Sequence, residues 1–591
     1  MEEMETEKQV DKMLDEEGTA KKRRTKFIIL GVSCLIIIVA IIIIVVAIKN
    51  KDKDKDDKDK DDKDKDEDDK DITPSDEPSY KFTSIETVNL PEGIIYDSHA
   101  IYSKTGHIIL TYKNESIEKE NITYIGVMDE DGSNLKELWA GKWEKYYRSN
   151  GIRLMPFDDN KKILTGDYIL ECQPNIDDCK DSKLYPVIYP QEVVNMEGVY
   201  MVWSEIIVSP DEHIGWTTLS SVYNNINFIG KLDKGEENFT ISNVQIISTL
   251  GLIDYEDEEQ GIFKDGILRG GEIKQFTNGG EAITLAGAGS SDSTLAKSVF
   301  QSLVSEDNYP LTHFPGYEET TIISPDGKLG LTMTTRFSEK SSSKILGYMP
   351  RPLSVYAVGN MNRYAYFYGV QEVRKNREGN IGPALINIEE SKNNTEYMGY
   401  DLHDEGWAFS SPLSWHPNCT KGMFSEIKKN NDKQIKRIRI VHLDNYKPGE
   451  TLKNKKTPDN ISYAKTLDDM KNITSFSKVD GIFKGKNSGY MIFNKTLTST
   501  KSEYINYSDD GKTFYNGSEE FEAEYIDIQH SKGKLTSKLD MTGEKKGKMD
   551  LTITMNSDGN IIFEEGGQKI SYGYVEYNGK KLTIEDSYYK E

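Results

Sequence analysis

The sequence of 591 residues predicts an all-β protein: a β-propeller preceded by a transmembrane helix and followed by a small antiparallel β domain. The first observation behind this prediction is a repeat, since IIVSPDEHIGWTT begins at Ile206 and TIISPDGKLGLTM begins at Thr321. Each copy reads as strand, tight turn, strand. Proline presets φ for the turn, aspartate can bond its own following backbone, and the flanking apolar residues can pack between sheets.

The second observation is the spacing of these hairpins. Weaker copies begin at Ser103, Phe157, Phe276 and Trp415. When the two clear copies are counted from Ser209 and Ser324, the six starts are 54, 52, 67, 48 and 91 residues apart. A four-stranded propeller blade contains about 50 residues, so one such hairpin about every 50 residues is typical of a propeller. The spacing predicts six blades within residues 79–460. Seven or eight blades are the alternative, because the last interval must hold a long insertion or a further blade.

The third observation concerns the chain after the predicted propeller. Short apolar-polar stretches such as GYMIFNK, SEYINYS, MDLTITM and KKLTIED alternate with DDG, SDG and NGK turns. This pattern is typical of antiparallel strands joined by tight turns. It predicts a separate antiparallel β domain over residues 461–591.

The repeat resembles a known family. Ser-Pro-Asp-Gly at residues 324–327 and the strand ending IGVMDEDGSN at residues 125–134 look like the repeat of TolB-type β-propellers. The same repeat occurs in the propeller of dipeptidyl peptidase IV. The resemblance covers about residues 95–455 and implies a fold rather than a reaction. The hydrolase of the dipeptidyl peptidase relatives would need a G-x-S-x-G nucleophile elbow, and the chain contains none.

The N-terminal region predicts a signal-anchor helix. Residues 27–48 carry no charge over 22 positions, and a helix of that length spans about 33 Å, enough for a hydrocarbon core of about 30 Å. Five basic residues, at 21–24 and 26, precede it and favour a cytoplasmic tail of residues 1–26. We therefore expect a single-pass type II membrane protein whose large C-terminal part is extracytoplasmic.

Glycosylation sequons agree with that orientation, because all ten follow the predicted helix. They lie at Asn114, Asn121, Asn238, Asn393, Asn418, Asn460, Asn472, Asn494, Asn506 and Asn516. Their number exceeds chance only modestly.

Between the helix and the propeller, residues 49–78 read as a disordered charged tether, with 9 Lys and 13 acidic residues in 49–71. A strip that binds cations or lipid head groups is the alternative to a plain spacer.

Charge and cysteine usage narrow the function classes. The formal net charge of -24 disfavours a nucleic-acid partner. Cys172 and Cys179 flank the turn-prone stretch QPNIDD, and we expect them to form a disulfide in an oxidising compartment. The Gly-rich turn at Gly287 and Gly289 lacks the third glycine of a dinucleotide fingerprint, so no cofactor is expected. A surface helix is expected to begin near Ser293.

Three irregular segments carry the candidate binding residues, because polar aromatic residues, amides, arginine and acids together suit sugars or peptides. The candidates are His313, Arg351, Asn360, Asn362, Arg363, Tyr364, His403, Asp404, Trp407, Trp415 and His416. An alternative is that these residues only brace a large insertion. A divalent metal held by His313, His403 and His416 is a further possibility, but no spacing in the sequence predicts it, so no metal site is assigned.

These observations predict a membrane-anchored, extracytoplasmic propeller that binds a protein or a glycan without catalysis. The alternative is a polysaccharide hydrolase or lyase with its site at the mouth of the propeller channel. A pair of catalytic carboxylates on two loops would leave no sequence signature.

The topology prediction can be tested with protease on intact cells or sealed vesicles. We expect cleavage to remove the large C-terminal part and to spare the first 26 residues, since these precede the predicted helix. Protection of the C-terminal part would contradict the orientation. Extraction of the protein by carbonate without detergent would contradict the anchor.

Overall fold

The computed structural model describes most of the chain after residue 80. The described ranges are 81–115, 122–143, 152–195, 199–200, 206–220, 225–247, 255–263, 270–288, 295–338, 343–353, 381–394, 396–430, 433–472, 479–496, 498–525, 531–556 and 561–587. The predicted helix at 27–48 and the tether at 49–78 lie outside these ranges. Within them, no helix has both the length and the apolar character needed to cross a membrane.

The described residues form an all-β fold, and four of its sheets have four antiparallel strands each. Sheet 6 contains β1 (Ser84–Thr87) and β25 to β27 (Ala408–Trp415, Lys421–Asn430, Lys433–His442). Sheet 1 contains β2 to β5 (Ile94–Tyr102, Ile108–Asn114, Ile122–Met128, Lys136–Lys142). Sheet 4 contains β17 to β20 (Gly270–Thr277, Ala282–Ala288, Lys297–Ser302, Asn308–Pro310). Sheet 5 contains β21 to β24 (Glu318–Ile323, Leu329–Thr334, Gly382–Asn387, Tyr400–Asp401).

Sheets 2 and 3 are the two halves of one larger sheet. Sheet 2 contains β6 to β9 (Leu154–Pro156, Lys162–Thr165, Tyr168–Gln173, Asp181–Ile188). Sheet 3 contains β10 to β14 (Val199–Tyr200, Ile207–Val208, His213–Ser220, Asn225–Lys234, Phe239–Ile246) and, at its edge, β28 (Lys465–Thr466). The halves join where β9 and β14 run parallel, with Val187 opposite Phe239.

All six hairpins predicted from the repeat are confirmed. Each turn joins two antiparallel strands of one sheet: β2 and β3, β6 and β7, β11 and β12, β17 and β18, β21 and β22, and β25 and β26. The turns contact one another, because Lys104 pairs with Asp158 at 3.2 Å and the His416 ring packs against Gly106. We call the surface that carries these turns the turn face.

Buried apolar residues join each sheet to the next in chain order. Shared clusters link sheet 1 with sheet 2, sheet 2 with sheet 3, sheet 3 with sheet 4, and sheet 5 with sheet 6. Sheets 4 and 5 are linked by Gln275, whose side chain bonds the backbone of Ile323. Sheet 6 returns to sheet 1 through Met423, Ile438 and Ile440, which pack on Tyr96 and Leu110. The six sheets therefore contact one another in a closed cyclic order.

The segment that follows sheet 6 runs back across the turn face. This segment, residues 443–466, is called the belt. Tyr446 Oη donates to Asp326 at 2.6 Å, and the Gly449 amide donates to the same carboxylate at 3.0 Å. Further along, the Lys455 amide bonds the Gly279 carbonyl at 2.8 Å, and Thr457 bonds Asp211 through its amide and its hydroxyl, at 2.9 and 2.7 Å. The belt thus binds the turns of sheets 5, 4 and 3.

A second large sheet follows the belt. Its ten strands are β15 and β16 (Tyr255–Asp257, Ile262–Phe263), β29 to β34 (Val479–Lys484, Ser488–Lys495, Ser499–Ser508, Thr513–Tyr525, Ser531–Gly543, Gly547–Met555) and β37 and β38 (Tyr572–Tyr577, Lys580–Thr583). The short strands β35 and β36 (Glu564–Glu565, Gln568–Lys569) pair separately. Strands β15 and β16 come from the region that the sequence assigned to the propeller.

The remaining elements are short helices. The α-helices are Gln191–Val194, Lys344–Gly347, Ile388–Asn393 and Ile584–Ser587, and the 3-10 helices are Asn278–Gly280 and Leu467–Asn472. The helix expected from Ser293 is wrong for residues 297–302, which form β19 and pair with β18. Residues on both faces of β19 are buried, and a strand buried on both faces lacks the alternation that distinguishes it from a helix.

An insertion between β22 and β23 docks sheet 5 onto the C-terminal sheet. The Arg351 side chain is fully buried and pairs with Glu519 on β32, with Nη2 2.6 Å from Oε2. Arg351 also donates to the Leu346 carbonyl at 2.8 Å, and Tyr504 donates to the Pro352 carbonyl. Buried Met349 and Leu353 pack in the same core as Leu539 and Met549 of the C-terminal sheet.

Removing one member of this buried pair should destabilise the protein. Arg351→Ala leaves the Glu519 carboxylate buried without its guanidinium, which costs about 3–5 kcal/mol. The matched control is Arg351→Met/Glu519→Met, which replaces both charges by apolar groups and should recover much of the loss. Urea unfolding followed by near-UV circular dichroism measures both variants. A loss below about 1 kcal/mol for Arg351→Ala would contradict this role.

The belt should weaken at acidic pH. Burial alone would raise the pKa of Asp326, but hydrogen bonds from Ser324, Tyr446 and backbone amides outweigh it and hold the pKa below its usual value. Because the folded-state pKa is the lower one, the stabilisation is complete above the unfolded value of about 3.9 and is lost as pH falls through the folded pKa.

We test this with Asp326→Asn. The variant should lower the free energy of unfolding by about 1–3 kcal/mol near neutral pH. The difference from wild type should shrink as the pH falls below about 4. Asp178→Asn, at an aspartate whose side chain is 59% exposed, serves as the control and should change little at any pH. A difference independent of pH would contradict the role of the charge.

Candidate functional site

The surface opposite the turn face is the candidate binding surface, and we call it the open face. Strand β25 begins at Ala408 and ends at the turn face, so the loop at 402–407 that precedes it lies at the opposite end. Strands β26 and β27 are joined at the same end, between Asn430 and Lys433. On the turn face the belt occupies several turns, whereas the loop at 402–407 and the β26–β27 connection are at the end that the belt does not contact.

Two arginines of β27 organise this surface. Arg437 lies opposite Glu426 in the antiparallel ladder, and its Nη2 is 2.6 Å from Glu426 Oε2. The same Nη2 donates to Asp404 on the preceding loop. Arg439 Nη1 approaches Asp404 Oδ2 at 3.3 Å. One guanidinium therefore joins two carboxylates from different elements, which positions the loop against the sheet.

Trp407 completes the cluster. The Arg437 guanidinium lies over its ring at 3.7 Å from the centroid, and Lys428 Nζ lies 5.8 Å from the same centroid. The Trp407 amide donates to the Asp404 carbonyl at 3.1 Å, which closes the loop. Cation–π contact of this kind, with ion pairs on the guanidinium edge, gives Arg437 a single preferred orientation.

The two carboxyl groups of the cluster differ in their electrostatics. The hydrogen bond from Arg437 holds the pKa of Asp404 below its usual value. Burial raises the pKa of Glu426, whose side chain has no exposed surface, although Arg437 and Arg439 oppose that rise. Glu426 Oε1 has no hydrogen-bond partner among the described residues. Asp404 is thus ionised near neutral pH and forms the accessible acidic part of the cluster.

The structure brings together three of the predicted residues, His403, Asp404 and Trp407, on one loop. The His403 amide donates to Asp401 Oδ1 at 3.0 Å, and the His403 Cβ lies 3.6 Å from the position a Cβ would take at Gly382. His313 is half-buried in the connection from β20 to β21, which joins two sheets as the 402–407 loop does. Asn360, Asn362, Arg363 and Tyr364 lie outside the described residues.

Three other candidates have structural roles instead. Arg351 is fully buried at the C-terminal sheet. Trp415 is 7% exposed and donates its Nε1 hydrogen to the Ile322 carbonyl at 2.7 Å, so it is a core residue between sheets 5 and 6. His416 lies in the turn after β25 and packs edge-on against Tyr102, with ring centroids 5.0 Å apart. Burial lowers the pKa of His416, which favours a neutral packing residue.

This placement separates the three histidines considered as metal ligands. His403 precedes β25 and His416 follows it, so an eight-residue strand lies between them, which corresponds to about 26 Å when extended. Among the described residues, no group of three histidine, cysteine or acidic side chains could hold a metal ion.

The sequence analysis missed Glu426, Lys428, Arg437 and Arg439. Their alternation with Ile427, Ile438 and Ile440 is typical of a strand with one buried face, and charged residues on such strands are usually solvated. The pairing of Arg437 with Glu426 depends on the register of β26 with β27. That register could have been inferred from the sequence, where only residues 431 and 432 separate the two charged stretches, and it would have suggested cross-strand ion pairs.

A second polar cluster lies on the turn face. A cavity of about 260 Å³ is lined by His107, Asp129, Asn134, Lys136 and Asp177 among others. The His107 ring lies between two carboxylates, 3.4 Å from Asp129 and 3.2 Å from Asp177. Asp177 belongs to the loop closed by the disulfide of Cys172 and Cys179, whose Cα atoms are 5.2 Å apart. These contacts link the turns of sheets 1 and 2.

The comparisons with known proteins give weak likenesses. The putative TolB from Agrobacterium tumefaciens is 9% identical with a TM-score of 0.28, over 64% of this chain and 91% of that chain. TolB from Acinetobacter baumannii is 13% identical with a TM-score of 0.29, over 62% of this chain and 66% of that chain. At such values the likeness carries no argument about this chain. No family model and no curated protein matches it.

Proposed function

We propose that the protein is a membrane-anchored, extracytoplasmic β-propeller of six blades that binds a macromolecular partner without catalysis. Six sheets, each containing one copy of the repeated hairpin and joined in a closed cyclic order, support the blade number. Pairing of β1 with β27 supports closure of the ring, since it joins the first described strand to the last of the six sheets.

The observation that carries the proposal is the contrast between the two faces. The belt bonds the turns of sheets 3, 4 and 5 on the turn face. The open face carries an aromatic residue, an arginine and an ionised carboxylate in one cluster around Arg437. Tryptophan and arginine are enriched at the residues that dominate binding energy in protein interfaces. We therefore assign partner binding to the open face.

The extracytoplasmic location has two supports. The disulfide between Cys172 and Cys179 favours an oxidising compartment. The predicted helix at residues 27–48 supplies the anchor. The chain enters β1 on the turn-face side, where Thr83 bonds His442 and Asp444.

The test is a binding screen of the full-length protein in detergent against a glycan array and a displayed peptide library. We expect the ligands selected by wild type to lose about tenfold or more in affinity for Trp407→Ala and Arg437→Ala. Lys104→Ala, a change at an exposed lysine on the turn face, is the control and should leave binding unchanged. Ligands that respond to Lys104→Ala instead would show that the turn face binds.

The same preparation separates binding from catalysis. Under this proposal the wild-type protein binds its selected ligand and releases it unchanged. Turnover of a polysaccharide by wild type, abolished by Asp404→Ala, would contradict the proposal and favour the hydrolase or lyase alternative.

A further inference from the structure

The contact between sheets 4 and 5 differs from the other five contacts in the ring of sheets. Buried apolar clusters join each of the other pairs, but among the described residues no such cluster contains strand residues of both sheets 4 and 5. The buried residues that face one another here are mainly small or carry a hydroxyl group. They include Ala282, Thr284, Ala286 and Ser298 on sheet 4 and Thr321, Thr332, Thr334 and Ala384 on sheet 5. We call this contact the polar seam.

Hydrogen bonds join the two sheets across the polar seam. The Thr321 hydroxyl donates to the Ser298 hydroxyl, with 2.5 Å between the two oxygens. The Gln275 side chain accepts a bond from the Ile323 amide at 2.8 Å and donates to the Ile323 carbonyl at 3.2 Å. Because water can replace each of these bonds, separating the polar seam costs less free energy than exposing an apolar contact of equal area.

The belt crosses the polar seam at the turn face. The Leu452 amide donates to the Pro325 carbonyl in the turn of sheet 5 at 2.8 Å. Further along the belt, the Lys455 amide donates to the Gly279 carbonyl in the turn of sheet 4 at 2.8 Å, and Lys455 Nζ lies 2.5 Å from Glu281 Oε2. The belt therefore ties together two sheets whose own strands share no apolar cluster among the described residues.

The C-terminal sheet bridges the same two sheets at the strand ends that lie away from the turn face. Leu295 and Ala296, directly before β19 of sheet 4, are buried in one apolar core with Leu346 and Met349 of the sheet 5 insertion and with side chains of the C-terminal sheet. Phe263, from the segment that precedes sheet 4, packs in the same core. The polar seam is thus held at one end by the belt and at the other by the C-terminal sheet.

We propose that the polar seam is the joint at which the ring of sheets opens, and that the belt and the C-terminal sheet keep it closed. Opening exposes the buried Lys274, whose Nζ lies 3.5 Å from Glu319 Oε1 on the other side of the seam. Glu319 Oε2 is buried without a hydrogen-bond partner among the described residues, so it gains a bond to water on opening. The opened seam gives polar solutes a lateral route between β17 and β21. This inference concerns the ring itself and does not depend on partner binding at the open face.

Backbone amides that donate across a contact between two sheets report its opening by hydrogen exchange. The Ile323 and Glu318 amides cross the polar seam, with bonds of 2.8 Å to Gln275 Oε1 and 3.1 Å to the Ala296 carbonyl. Three amides that cross other contacts are the controls: Ile273 to Thr217 Oγ1 at 2.9 Å, Leu154 to His99 Nδ1 at 3.0 Å and Tyr102 to Ser414 Oγ at 3.0 Å. In the full-length protein in detergent, mass spectrometry at single-residue resolution should show the two seam amides exchanging about tenfold or more faster than the controls.

A reversible staple separates opening of the seam from unfolding of a sheet. In Ser298→Cys/Thr321→Cys, two thiols replace hydroxyl groups whose oxygens lie 2.5 Å apart, and oxidation joins the two sheets by a disulfide. The reduced form of the same variant is the matched control. We expect oxidation to slow exchange of the two seam amides about tenfold or more and to leave the control amides unchanged. Equal exchange of the seam amides in both forms would overturn the inference, as would equal exchange of seam and control amides in wild type.

Tyr446→Phe tests the belt, because it removes the hydrogen bond from Tyr446 Oη to Asp326 and keeps the ring. The two seam amides should exchange about tenfold faster, and the control amides should stay within about twofold of wild type. Leu295→Ala, which removes a contact with the core of the C-terminal sheet, should act in the same direction. Thr83→Val is the control variant, since it removes a 2.7 Å bond to Asp444 beside sheet 6, and it should change no amide. An equal rise at every amide in Tyr446→Phe, or no rise at the seam amides, would overturn the role of the belt.

Discussion

The carboxylates of Asp211 and Asp326 attach the belt to the turns of the turn face. Because the belt is bound there, the opposite surface is the open face. Each accepts a hydrogen bond at 2.6 Å from the serine two residues earlier in its own turn. Each then accepts further bonds from the belt, at Thr457 and Tyr446 respectively. Because a carboxylate has about four lone-pair sites, one aspartate can close its hairpin and bind a second segment. The repeated motif thus serves local folding and long-range attachment together.

The buried pair of Arg351 and Glu519 couples the cyclic array of sheets to the C-terminal sheet. Desolvation of the two charges offsets much of their attraction, so the pair adds little net free energy, although loss of either partner alone leaves an unpaired buried charge. The insertion that carries Arg351 leaves β22 and returns to β23 at Gly382, beside His403. Both ends of the insertion therefore belong to sheet 5, and its described part at residues 343–353 packs on the C-terminal sheet.

The sequence predicted the hairpins because the residues that determine a tight turn lie within a few positions of one another in the chain. All six turns were found in this way, including weak copies at Ser103 and Phe157. The belt could not be predicted, since residues 443–466 have no periodicity and their partners are turns more than 100 residues away. Strand β1 has only four residues, SIET, and is defined by its partner β27 rather than by its own pattern.

The candidate site was predictable only in part, because contacts between residues far apart in the chain leave no local sequence pattern. Asp404 and Trp407 were found because a loop rich in polar aromatic residues departs from the repeat. Arg351 was assigned to binding because arginine suits sugars or peptides, but its role depends on Glu519, which is 168 residues away. Arg437 was overlooked because a charged residue on a strand reads as solvated until the register places Glu426 opposite it.

The electrostatics of Asp404 and Glu426 bear on the choice between binding and catalysis. Two carboxyl groups whose pKa values are moved in opposite directions are typical of a general acid and its partner. Here both are bound to Arg437, and Glu426 has no exposed surface, whereas a general acid must come within about 3 Å of the atom it protonates. The opposed pKa values arise from burial of one carboxyl and hydrogen bonding of the other. Their joint effect is to hold the Arg437 guanidinium over Trp407 in one orientation, which under the proposed function would lower the entropic cost of binding a partner.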